Sequence, residues 1–73
     1  MEITLHNTTK TVTINGTPAR IWEGHTASGT EIHAYITRIA VADGHDPDEF
    51  LRELELASAP SPDVQAIPLR LLI

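Results

Sequence analysis

The dipeptide Asn15-Gly16, set between Thr11-Val12-Thr13-Ile14 and Thr17-Pro18-Ala19-Arg20-Ile21, constrains the fold more than any other feature of the chain. Both central positions of a type I′ turn need positive φ, which Asn and Gly tolerate, and this turn matches the twist of an antiparallel hairpin. A two-residue connection also sets the register, placing Ile14 opposite Thr17 and Val12 opposite Ala19. Because side chains alternate along a strand, Val12, Ile14, Ala19 and Ile21 should share one face, with Thr11, Thr13, Arg20 and Trp22 on the other. The whole stretch 2–24 reads as extended, since Ile3 and Leu5 alternate with polar neighbours before the hairpin, with room for one more split strand near the N-terminus. Pro18 has no N–H for a ladder, so its strand is expected at a sheet edge.

A second turn signal, Gly24-His25-Thr26-Ala27-Ser28-Gly29, leads into Glu31 to Val41. Ile32, Ala34, Ile36 and Ala40 fall on one face of that run, and His33, Tyr35, Thr37, Ile39 and Val41 on the other. Two largely apolar faces predict a strand in the middle of the sheet, covered by a helix on one side, with Arg38 as the exception at the strand end or beside a carboxylate. Asp46-Pro47-Asp48-Glu49 then supplies an N-cap, a proline at the first helical position and a glutamate at N3. Phe50, Leu51, Leu54 and Ala57 follow as one apolar stripe, predicting a helix over 47–57. Ala59-Pro60-Ser61-Pro62 reads as a semi-rigid connector, and Ile67 to Ile73 as a last strand, starting after Pro68 or lying at an edge. The expectation is a single α+β domain over 1–73: a mainly antiparallel sheet of three to five strands with one helix on a face, in the order β-β-β-α-β.

Seventy-three residues bury only about 60% of the surface of the unfolded chain, so the core is thin and any site should be shallow or shared between chains. Without cysteine, neither a disulfide framework nor a thiolate metal site is available. The longest apolar run, Ile39 to Ala42, is far too short to span a membrane or form a signal-peptide core, so neither secretion nor membrane spanning is indicated and cytoplasmic residence is the expectation.

Charge is where function shows. Asp43, Asp46, Asp48, Glu49, Glu53 and Glu55 stand against the lone Arg52, which concentrates the entire net charge of −5 on one element. The remaining basic residues lie singly on separate elements, which disfavours direct binding of DNA or RNA. A concentrated acidic face suits the opposite role, occupying a basic surface of a nucleic-acid-binding protein or nucleoprotein complex. The residues expected to touch such a partner are Asp46, Asp48, Glu49, Glu53 and Glu55, together with Trp22 as an aromatic contact.

The other constellations are weaker. His6, His25, His33 and His45 show no finger or H-E-x-x-H spacing, and His25 and His45 should lie at opposite ends of one strand, so no metal site is expected. Asp43-Gly44-His45-Asp46-Pro47-Asp48 fails as a calcium loop, with His45 at position 3 and Pro47 at position 5. Ser28 lacks a nucleophile elbow. His33 and Tyr35 form the one row suited to acid–base chemistry, and a half-buried sheet surface explains it equally. The reading is therefore a binding module without cofactor, an inhibitor or adaptor rather than an enzyme. In size and charge alone it is similar to the small acidic counter-defence proteins of phages and mobile elements, anti-CRISPR proteins among them. The alternative is a homodimeric structural or accessory protein that assembles through its apolar sheet face or edge strands.

Overall fold

The hairpin forms at Asn15-Gly16 with the register that its sequence requires. In a computed structural model, which describes residues 1–66, Asn15 and Gly16 have φ of 49° and 80°, Ile14 pairs with Thr17, and Val12 pairs with Ala19. Strand β1 (Ile3–Ile14) and strand β2 (Thr17–Thr26) continue antiparallel. A tight turn at Ala27–Thr30, with Gly29 at φ 91°, leads to β3 (Glu31–Ile36). The result is a three-stranded antiparallel sheet in the order β1-β2-β3.

This order corrects two expectations. The strand that carries Pro18 is the central one, not an edge; Pro18 is tolerated because the β2–β3 ladder begins only at Arg20, so nothing beyond β1 asks for its missing N–H. The run 31–41 does not form a central strand. It ends at Ile36 and lies at the sheet edge, since a short turn after β2 delivers the chain to the side away from β1. Its second apolar set then belongs to a loop, where Ile39 stays 44% exposed.

The N-terminal segment is one strand with an irregularity rather than two strands. Between the pairs Asn7–Trp22 and Thr11–Arg20, β1 carries Thr8, Thr9 and Lys10 opposite Ile21 alone. Such a bulge leaves a ladder acceptor without its partner. The buried Thr8 hydroxyl supplies it, donating to the Ile21 carbonyl at 2.6 Å and accepting from Lys10 N–H at 3.2 Å. The bulge also turns backbone groups of β1 outward, and these capture Ser58: Thr9 N–H donates to Ser58 O at 3.0 Å, and Ser58 N–H donates to Asn7 O at 3.2 Å.

That capture explains where the helix stops. Helix α1 (Pro47–Leu54) starts as its sequence predicts, with the Asp46 carboxylate accepting from Asp48 N–H at 2.9 Å. Continuation to Ala57 would need Ser58 N–H on the Leu54 carbonyl. Instead that N–H goes to Asn7 O, and the Leu54 carbonyl accepts from the Asn7 amide at 2.8 Å. No residue of α1 is buried; Phe50 and Leu54 are half-buried, and Leu51 is 55% exposed.

The segment after α1, expected as a semi-rigid connector, is a strap along the β1 edge. It bridges β1 at Ser58 and then forms one turn of helix, α2 (Pro62–Gln65), with Ser61 as N-cap and Pro62 at the first position. From α2 the fully buried Val64 meets Val12, Ala19 and Ile21, which together form the core, with Ile14 at its margin. The expected strand over 67–73 lies outside the described residues.

Candidate functional site

The acidic element forms one side of an open groove. The chain leaves β3, turns at Ala42–His45, where His45 N–H donates to Ala42 O at 3.3 Å and Gly44 takes φ of 87°, and enters α1. Val41, Ala42, His45, Asp46, Glu49, Phe50 and Glu53 line a groove of about 380 Å³ between that turn and the helix. Glu49 and Glu53 are four residues apart and therefore stack on one helix face, a like-charge pair that costs an isolated helix about 0.2–0.5 kcal/mol. Both carboxylates are exposed. Val41 and Phe50, half-buried, give the groove an apolar floor. Such a groove suits a lysine or arginine, whose methylenes lie on apolar surface while the cationic head reaches a carboxylate.

The six residues expected at an interface separate on the structure. Asp46, Glu49 and Glu53 share the groove; Asp48 and Glu55 are exposed but do not line it. Trp22 is half-buried on the opposite sheet face from the core, in a hollow of about 270 Å³ with Arg20, Ile36, Phe50, Leu51 and Leu54 among its walls. Phe50 lines both hollows, so the indole stands near the groove without belonging to it.

A second, larger concavity gathers residues that sequence spacing left apart. On the Ile21 face, beyond the core, His6 pairs with Glu23 from β1, and Glu23 pairs with His33 on β3. One step along, His25 pairs with Glu31. These five residues, with Ser58, Ser61 and Asp63 of the strap, line an open cleft of about 560 Å³. Glu23 ties the cleft together, because its Oε2 accepts from Ser61 N–H at 2.9 Å. The hydrogen bonds from Ser61, with a smaller contribution from nearby His33, hold the Glu23 carboxyl below the ordinary glutamate range despite its partial desolvation. His45 lies in the acidic groove, away from the other three histidines.

The structure brings His6, His25 and His33 to one cleft, although among the described residues no three histidine or acidic side chains form a group that could hold a metal ion. The missed signal was the register: once the turn at 27–30 is recognised, Glu23-Gly24-His25 and Glu31-Ile32-His33 must face each other. The chain matches no family model, no curated protein and no solved structure. Among the described residues, no helix is long and apolar enough to cross a membrane.

Proposed function

We propose that this chain is a small cytoplasmic α+β binding module, an inhibitor or adaptor rather than an enzyme, that docks its acidic groove on a basic protein surface. The observation that carries this reading is the shared placement of Asp46, Glu49 and Glu53 along one open groove that the half-buried Val41 and Phe50 also line. Charge alone would be met by acids scattered over the surface; a row of carboxylates beside apolar surface gives a basic side chain both an anchor and a stem contact. The target class that fits is a protein or nucleoprotein complex with a basic groove, by analogy in size and charge with counter-defence proteins. Pull-down at low and high salt tests it, comparing wild type with Glu49→Lys/Glu53→Lys. A basic complex held by wild type alone and released at high salt is the expected result. An affinity that survives the double charge reversal refutes it.

A self-associating structural protein is the second reading. It is favoured by the outer edge of β3, which pairs with no strand among the described residues, and by the exposed apolar surface of Tyr35, Ile39 and Leu51. Sedimentation at rising concentration distinguishes it, since association through these residues would depend little on salt.

A further inference from the structure

The hollow beside Trp22 carries a charge pattern opposite to that of the chain as a whole. The chain has a net charge of −5 and five basic residues, and two of them, Arg20 and Arg38, line this hollow. Among the described residues no carboxylate does. Strand register brings the two arginines together: Arg20 stands opposite Ile36 at one end of the β2–β3 ladder, and Arg38 follows Ile36 by two residues. Glu49 and Glu53 line the neighbouring acidic groove, which shares Phe50 with the hollow.

The remaining walls are apolar. Trp22, Phe50 and Leu54 are half-buried, while Ile39 and Leu51 remain 44% and 55% exposed. Arginine stems can lie on such walls, but the exposure of Ile39 and Leu51 leaves apolar surface for an occupant. The volume of about 270 Å³ is room for about nine water-sized groups at roughly 30 Å³ each. Arg20 and Trp22 share one sheet face two residues apart, roughly 6.7 Å along the strand. An aryl ring joined to a carboxylate by two methylenes spans about 5 Å from ring centre to carboxyl carbon, so one small molecule can touch both residues. Guanidinium groups present planar forks of donors that match the two oxygens of a carboxylate.

We propose that this hollow is a binding site for a small apolar carboxylate, an aryl or alkyl acid of roughly ten non-hydrogen atoms, with its hydrocarbon body on Trp22, Phe50 and Leu54 and its carboxylate on Arg20 and Arg38. The two arginines repel a cation, and an uncharged hydrocarbon leaves their donors to water. The site lies apart from the row of Asp46, Glu49 and Glu53, and stands whether or not that row takes a basic partner.

Titration of the full chain with 3-phenylpropionate at constant ionic strength, read by the fluorescence of Trp22, the chain's single tryptophan, tests the site. Saturable binding of one equivalent is expected. 3-Phenylpropanol, which keeps the ring and lacks the charge, should bind roughly tenfold or more weaker, and Arg20→Gln and Arg38→Gln should each weaken phenylpropionate by a similar factor, as expected for the loss of a charge-assisted hydrogen bond. Arg52→Gln, outside the hollow, should leave the affinity unchanged. Circular dichroism establishes that each variant is folded before it is titrated; Arg38 is exposed, so its replacement keeps the test valid if Arg20→Gln does not fold. Absence of saturable binding up to tens of millimolar phenylpropionate overturns the proposal. So does phenylpropanol binding as tightly as the acid, or an affinity unmoved by Arg38→Gln.

Discussion

Replacing Val64 with alanine should destabilise the protein far more than its position in a single-turn helix suggests. Val64 is 0% exposed and is the strap's contribution to a core whose other members are Val12, Ala19 and Ile21. The substitution removes two buried carbons, worth about 1.6 kcal/mol in transfer free energy at roughly 0.8 kcal/mol per methylene. If the sheet does not collapse onto the strap, the space left adds about 1 kcal/mol. Alanine's better helix propensity returns a few tenths of a kcal/mol. The net loss is about 2–3 kcal/mol, from a total of roughly 4–11 kcal/mol expected for a chain of this length. For a domain of this size, that corresponds to a fall in Tm of roughly 8–24 °C. Urea denaturation followed by Trp22 fluorescence, with thermal melts by circular dichroism, measures it. Leu51→Ala is the control: Leu51 is 55% exposed and should cost less than about 0.5 kcal/mol beyond propensity. A Val64→Ala protein as stable as wild type, or no less stable than Leu51→Ala, would refute the claim that the strap closes the core.

Three further predictions rest on single observations. Gly24→Ala should destabilise by more than about 2 kcal/mol, the upper range of overpacking costs, because a Cβ there would overlap the Thr4 carbonyl oxygen, a backbone atom that cannot turn aside; chemical denaturation is the assay. Thr8→Val should cost about 1–3 kcal/mol by leaving the buried Ile21 carbonyl without its donor, whereas Thr8→Ser should retain most of the stability. The Glu23 carboxyl is depressed in the folded state chiefly by Ser61, so its stabilising contribution is present above the ordinary glutamate pKa and is lost as pH falls through the lower, folded value. The stability difference between wild type and Glu23→Gln, followed by denaturation from neutral pH to below 4, should shrink on acidification.

What could be read from the sequence follows how local each signal is. Asn15-Gly16 and Asp46-Pro47 determine structure within four residues, and both the hairpin register and the helix start appear where those residues place them. The core face Val12, Ile14, Ala19 and Ile21 follows from the same turn. The failures depend on partners distant in sequence. The helix ends three residues early because Asn7 takes the Leu54 carbonyl, a contact across 47 positions that no local pattern encodes. Ser61-Pro62-Asp63 repeats the cap grammar of Asp46-Pro47-Asp48, yet the flanking prolines made it read as a connector; Val64, the fourth core residue, was missed with it. The two-sided apolar pattern of 31–41 suggested a central strand because it merged a real strand with the loop that follows.

The same distinction holds for the sites. Asp46, Glu49 and Glu53 were legible as an acidic cluster, but only the turn at Ala42–His45 separates them from Asp48 and Glu55 by forming the groove. The histidine cleft is a consequence of strand register across β1, β2 and β3, and so becomes visible only when the pairing is known.

The central claim is that the groove of Asp46, Glu49 and Glu53 recognises a basic segment, rather than the acidic surface attracting cations at large. Amide NMR of the labelled protein, titrated with a short arginine- and lysine-rich peptide in low and high salt, tests it most directly. The account predicts shifts centred on His45, Glu49, Phe50 and Glu53, weaker in high salt and lost in Glu49→Lys/Glu53→Lys. Shifts of equal size around Asp43, Asp48, Glu55 and the remote Glu2, or a titration unchanged by the double reversal, would contradict it.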